Sequence, residues 1–213
     1  MLFLADSANL DELEKLFSYF PLEGVTTNPS IIATEGRPLT KLLPRLKELV
    51  GEKMLHVQLI SNRADRMLDE ALRYQEFLGE HVNFYAKIPV TEEGYKAMPM
   101  LKKRGLKVTA TAVYTHLQAL VAARAGANYV APYVSRLDNI SSHGIEVVQH
   151  IVKSFTDYKM PTKVLAASFK TVDQVHRVTL TGWYAVTVRY EVLERLRSHP
   201  LTDMNVEWFS RDG

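Results

Sequence analysis

Lys87 stands inside an apolar run, Phe84-Tyr85-Ala86-Lys87-Ile88-Pro89-Val90, where an ammonium group would lose its water. Burial disfavours the charged form of a lysine and lowers its pKa, and the neutral amine is the form that attacks a carbonyl to make a Schiff base. A strand lysine can instead run its stem along apolar surface to reach solvent, or pair with a buried carboxylate such as Asp6. What gives Lys87 weight is the set of polar residues at the ends of other apolar runs. Asp6 is placed to bind a substrate hydroxyl or relay a proton, or else to act as a carboxylate near a helix start, ahead of Asn9 and Asp11. Thr27 and Asn28 lie in Thr26-Thr27-Asn28-Pro29-Ser30 at the end of the second run, where Asn-Pro is also an ordinary turn signal. Gln58 and Thr111 could hold a water or simply be satisfied by backbone. Tyr133 offers a phenol for general acid/base work, or a core aromatic with its hydroxyl satisfied. Ser168 and Arg136 suit an oxyanion such as a phosphate, the alternative for Arg136 being a surface pair with Asp138.

These residues need elements that bring them to one place. Eight short runs rich in Val, Ile, Leu and aromatics recur: Leu2–Ala5, Gly24–Thr27, Met54–Ile60, Val82–Val90, Lys107–Ala112, Asn128–Val134, Lys163–Ala167 and Tyr184–Val188. Each is followed by a segment with helical spacing of apolar residues, from Asp11–Phe20 through Leu39–Val50, Ala64–Phe77 and onward to Tyr190–Arg197. This alternation predicts parallel strands joined by crossover helices. About 27 residues per unit fits a minimal α/β (β/α)8 TIM barrel, expected here as one domain over residues 1–213. A doubly wound sheet would show a Gly-rich phosphate turn after the first strand, and Ala5-Asp6-Ser7-Ala8-Asn9 is not one. Gly79, Gly105, Gly126 and Gly182 each close a helical segment shortly before a strand, as helix-to-strand loops prefer. In a barrel the polar residues at the strand ends would form the active site.

Composition sets the outer limits. Forty-six per cent hydrophobic and 23% charged residues are ordinary for a globular chain, and 26 Lys plus Arg against 24 Asp plus Glu, scattered along it, ask for no nucleic acid. Zero cysteines exclude disulfides, thiolate metal sites and a Cys nucleophile, and make the cytoplasm the default. The seven histidines lack metal-ligand spacing and no G-x-S-x-G elbow occurs, so neither a metal nor a serine hydrolase is expected. The apolar start, Met1 to Leu4, meets Asp6 too soon for a signal peptide, and Arg124 interrupts the longest apolar tract, so no membrane partner is expected.

Five stretches together resemble the small transaldolase family, and within it the fructose-6-phosphate aldolases: Gly24-Val25-Thr26-Thr27-Asn28-Pro29-Ser30, Ala86-Lys87-Ile88-Pro89-Val90-Thr91, Thr111-Ala112-Val113-Tyr114, Ala131-Pro132-Tyr133-Val134-Ser135-Arg136 and Ala166-Ala167-Ser168-Phe169-Lys170-Thr171. The resemblance implies a class I aldolase barrel with the Schiff-base lysine on strand four, at Lys87, and no metal or organic cofactor. Gln58 and Tyr133 look like the aldolases, since transaldolases usually carry Glu and Phe there. It further implies that Lys87 attacks the C2 ketone of fructose 6-phosphate and that Tyr133 takes the C4 hydroxyl proton through a water held by Gln58 and Thr111. Asp6, Thr27 and Asn28 would then hold the sugar, with Arg136 and Ser168 on the phosphate. The neighbouring possibilities are a transaldolase, a sugar-phosphate isomerase barrel and a silent sugar-phosphate binder. The chain departs from the family at Thr187-Val188-Arg189, where members commonly have Pro; Arg189 would add a phosphate cation or simply begin a helix. The tail, residues 201–213, carries Val206, Trp208 and Phe209, and the resemblance implies a helix there that packs on a neighbouring subunit in a homo-oligomer, a pentamer or decamer.

Overall fold

The computed structural model describes residues 1–182 and 184–212. Eight parallel strands close in sequence order into a barrel: β1 (Leu2–Asp6), β2 (Leu22–Thr26), β3 (Met54–Gln58), β4 (Asn83–Pro89), β5 (Lys107–Val113), β6 (Tyr129–Pro132), β7 (Lys163–Ala166) and β8 (Ala185–Val188). Register between β1 and β8, with Ala5 opposite Val188, completes the ring. Around it run α1 (Leu10–Tyr19), α3 (Leu39–Val50), α4 (Ala64–Leu78), α5 (Glu92–Lys103), α6 (His116–Ala125), α8 (Gly144–Asp157), α9 (Val172–Thr179) and α10 (Tyr190–Arg197). Two short helices that periodicity did not indicate, α2 (Pro29–Thr34) and α7 (Val134–Asp138), follow β2 and β6, and α11 (Pro200–Asp212) forms the tail. The expected third strand runs two residues too far: at Ile60 the backbone has left the sheet, and its N–H donates to the buried Glu70 carboxylate.

Strand alternation divides the barrel into an outer and an inner face. Outward residues such as Ala5, Val57, Phe84, Ile88, Val108 and Val186 join the main core under the helices. Inward residues form a separate apolar cluster at the amino-terminal end, made of Leu4, Met54, Tyr85, Tyr129, Leu165 and Ala185. Above that floor the inward positions turn polar: Thr26, His56, Lys87, Thr109, Thr111 and Thr187 are all buried. That layer is where sequence and barrel geometry converge on chemistry.

Local features hold the strands that carry it. Gly94, in the first turn of α5, lets that helix press on the end of β4, for a Cβ there would stand 1.9 Å from the Pro89 carbonyl oxygen. The four anticipated stop glycines have φ of 80°, 74°, 106° and 77° at Gly79, Gly105, Gly126 and Gly182. Among the described residues no helix is long and apolar enough to cross a membrane.

Candidate active site

Lys87 is 5% exposed, and its Nζ donates to the carbonyl oxygen of Thr27 at 2.8 Å. Burial pushes its pKa below the usual lysine range, and the Asp6 charge pulls partly the other way. Asp6 caps no helix; Asn9 does that for α1, accepting from the Glu12 N–H. Instead Asp6 Oδ1 accepts from Thr26 Oγ1 at 2.7 Å, and the Thr26 hydroxyl also meets Thr187 Oγ1 at 2.7 Å. The carboxylate is therefore held by β2, through a threonine that β8 braces in turn, near the lysine without a hydrogen bond to it.

Lys87, Asp6, Asn28, Tyr133, Arg136 and Ser168 all line one cavity of about 220 Å³ at the carboxyl ends of the strands. Asn28 does two things: its Oδ1 caps α2 by accepting from the Ile31 N–H at 3.0 Å, so the Asn-Pro pair opens a helix where a turn was the alternative, while the residue also faces the cavity. Thr111 lies behind the wall, its Oγ1 2.9 Å from the Tyr133 hydroxyl. Burial raises the Tyr133 pKa, opposed by the Thr111 hydrogen bond and the Arg136 charge, so the phenol keeps its proton at neutral pH. Gln58 is in register with Lys87 on β3, yet it lines an adjoining hollow of about 420 Å³ that meets the lysine cavity at Asn28. Thr27 lines that hollow too and reaches Lys87 through its backbone oxygen.

The ends of β6 and β7 are laced together past the regular ladder. Tyr133 bridges to Ala167, and the N–H groups of Val134 and Ser135 donate to the carbonyls of Ala167 and Ser168. Ser168 has a φ of 63°, a left-handed conformation that non-glycine residues seldom adopt and that collects at functional sites. Ala112, at 56°, marks an irregularity in the pairing of β5 with β6 beside Thr111. Arg136 is not paired with Asp138, whose carboxylate takes the Gly144 N–H and the Gln174 side-chain amide. It lies over the Tyr133 ring, 4.9 Å from the centroid, and donates to the Tyr114 hydroxyl at 3.4 Å. Its guanidinium thus remains available to an anion.

Ser30, Ser135, Asn139, Lys170 and Arg189 also line the cavity. Lys170 could have been found as the residue two beyond Ser168, on the same loop. His56 escaped sequence reasoning altogether, because a histidine without ligand spacing carries no signal. Fully buried, it stacks on Tyr85 with centroids 4.4 Å apart, its Nδ1 lies 2.8 Å from Thr109 Oγ1, and its Nε2 has no partner. Burial, then the Lys87 charge, hold its pKa well below the ordinary imidazole value, so it is neutral. Strand alternation was the available clue: His56 is two residues before Gln58 and shares its face. Among the described residues no group of three or more His, Cys, Asp or Glu could hold a metal ion.

A profile of the transaldolase/fructose-6-phosphate aldolase family matches residues 3–211. A protein named probable transaldolase from Thermoanaerobacter sp. is 39% identical over 212 residues, covering 100% of this chain and 96% of its own. Proteins of the same name from Clostridium tetani and Brachyspira hyodysenteriae are 38% and 39% identical, each over 100% of this chain and 97% of theirs. Among solved structures a mandelate oxidase variant superposes with a TM-score of 0.60 at 14% identity, covering 88% of this chain and 64% of that one, a likeness of fold alone.

Proposed function

The chain belongs to the transaldolase/fructose-6-phosphate aldolase family, and from that premise we propose that it is a Schiff-base aldolase that cleaves fructose 6-phosphate to dihydroxyacetone and glyceraldehyde 3-phosphate. The observation that carries the reading is that a buried amine with a lowered pKa, Lys87, and a phenol, Tyr133, open onto the same cavity. The neutral amine adds to the C2 ketone and water leaves, giving an iminium. A base removes the C4 hydroxyl proton, the C3–C4 bond breaks, and its electrons pass to the iminium nitrogen as glyceraldehyde 3-phosphate departs. Protonation of the enamine at C3 and hydrolysis then return dihydroxyacetone and the free lysine. The iminium is the electron sink, so the proposed chemistry uses neither metal nor organic cofactor.

Tyr133 holds its proton in the free enzyme, which suits it to protonate the aldehyde oxygen in the direction of synthesis. In cleavage the positive iminium in the same cavity favours the phenolate, which accepts the C4 proton. Thr111 orients the phenol. Asp6 and Asn28 are assigned to the ketose hydroxyls, and Arg136 with Ser168 to the phosphate. Gln58, facing the adjoining hollow, is assigned to holding a water at the junction rather than to direct contact with Tyr133. The exposed apolar residues of α11 support assembly into a homo-oligomer, a pentamer or decamer, and the cytoplasm remains the assigned compartment.

The names of the relatives favour a second reading, a transaldolase, in which the same enamine attacks an aldose phosphate instead of taking a proton. Release of glyceraldehyde 3-phosphate from fructose 6-phosphate, measured with and without erythrose 4-phosphate, separates the two. Release without acceptor, lost by about 10²–10⁴ in Tyr133→Phe, is the expected result. Release only with acceptor makes the chain a transaldolase, and absence of borohydride trapping on Lys87 overturns both.

A further inference from the structure

Arg189 follows β8 and stands at the start of α10 without capping it through its side chain. It is exposed, and among the described residues it makes no ion pair. That is notable because three carboxylates, Glu12, Glu35 and Glu191, line the hollow on its outer side. Arg189, Asp6 and Ser30 belong to that hollow and to the lysine cavity alike, so the arginine stands on the ridge between them. On the inner side the balance of charge is lopsided: Lys87, Arg136, Lys170 and Arg189 are opposed by a single carboxylate, Asp6. A small space walled by that many cations and several hydroxyls is built for an anion of more than one charge. Barrels bind phosphate mainly through the loops after strands seven and eight, which here supply Ser168 with Lys170 and then Arg189.

We propose that Arg189 is a phosphate-binding residue of the Lys87 cavity, acting from the end of β8 where Arg136 acts from beyond β6, and that it sets this chain's preference for phosphorylated over unphosphorylated sugars. The inference rests on the Schiff-base reading for its substrate class, and on cavity chemistry alone for its anion. The guanidinium offers two parallel N–H donors to a phosphate, which a lysine cannot reproduce.

Two measurements on Arg189→Ala and Arg189→Lys test it. The first is calorimetric binding of glycerol 3-phosphate, which carries the phosphate but no carbonyl for Lys87. Affinity is expected to fall about tenfold or more in Arg189→Ala, the size of one lost charge-assisted hydrogen bond, and to recover partly in Arg189→Lys. The second is synthesis from dihydroxyacetone with glyceraldehyde 3-phosphate against glyceraldehyde. The ratio of kcat/KM for the phosphorylated over the plain aldehyde is expected to drop by a similar factor. Unchanged glycerol 3-phosphate affinity overturns the proposal, as does an equal loss with both aldehydes. Borohydride trapping of dihydroxyacetone on Lys87 separates the outcomes: if trapping fails while Arg189→Ala weakens anion binding, the Schiff-base reading has failed and the anion site stands.

Discussion

Lys87 should weaken the fold that it serves, and the amount follows from its surroundings. An ammonium taken out of water carries an effective penalty of several kcal/mol in a real protein, taken here as about 4 kcal/mol. The structure returns one hydrogen bond to the Thr27 carbonyl and an unbonded attraction to Asp6. Lys87→Met keeps nearly the same volume and removes the penalty, but leaves the Thr27 carbonyl without that donor, at about 1–3 kcal/mol. The balance favours the variant by about 1–2 kcal/mol, and in a chain of this size each kcal/mol moves Tm by about 2–4 °C. Thermal unfolding at neutral pH should therefore show Lys87→Met melting about 2–8 °C higher, with borohydride trapping abolished. The gap should also depend on pH. Because the folded-state pKa is lowered, the unfolded chain holds a proton that the fold lacks between that pKa and about 10.4, so the parent gains stability as pH rises through the window. Below the folded-state pKa the deficit is complete; near pH 10 it should have narrowed. A variant less stable than the parent at neutral pH, or a gap indifferent to pH, would refute the claim that burial keeps this amine poised.

Two further outcomes follow from parts of the molecule outside that balance. His56→Phe should be near neutral in stability around pH 8, since it exchanges the partnerless Nε2 for a partnerless Thr109 hydroxyl, and should hold up better in acid. Below about pH 6.5 the unfolded imidazole takes up a proton that the folded one refuses, so the parent loses about 1.4 kcal/mol per pH unit, or about 2 kcal/mol by pH 5. Urea unfolding at the two pH values checks it, and parallel losses in parent and variant would contradict it. Removal of residues 201–213 should lower the mass of the assembly by light scattering while leaving the barrel's melting transition in place. Leu201, Val206, Trp208 and Phe209 are each more than half exposed, and an unchanged mass would show that α11 joins no subunits.

The barrel was legible because its signals are periodic. Eight strand runs and the stop glycines depend on local spacing, and the helices at Leu39–Val50 and Tyr190–Arg197 keep the bounds that spacing gave them. α2 and α7 were not legible, because six and five residues are too short to show a 3.6-residue period, and both follow motifs that read equally well as loops. Strand ends assembled most of the site for the same reason that a barrel has one active face. What spacing could not give was direction at close range. Asn28 both caps a helix and faces the cavity, Gln58 opens onto the neighbouring hollow, and His56 is buried below Lys87, three outcomes decided by tertiary packing rather than by residue type.

The same packing bears on how one scaffold could host both cleavage and transfer. Tyr133 sits at the end of β6, between the irregular β5 with Ala112 and the β7 end with Ser168, and both residues hold left-handed backbone angles. Such angles cost about 1–3 kcal/mol each and persist only where their surroundings dictate them. Here the surroundings are the bonds that lace β6 to its neighbours: the Tyr133 N–H to the Val113 carbonyl, the bridge to Ala167, and the Ser135 N–H to the Ser168 carbonyl. The same stretch of backbone carries the Thr111 contact with the phenol and brings Ser168 to the cavity. A phenylalanine there would fill the same frame and remove only the hydroxyl. Under the proposed mechanism that hydroxyl serves the C3–C4 cleavage common to both reactions, so Tyr133→Phe should slow release of glyceraldehyde 3-phosphate with and without an acceptor alike.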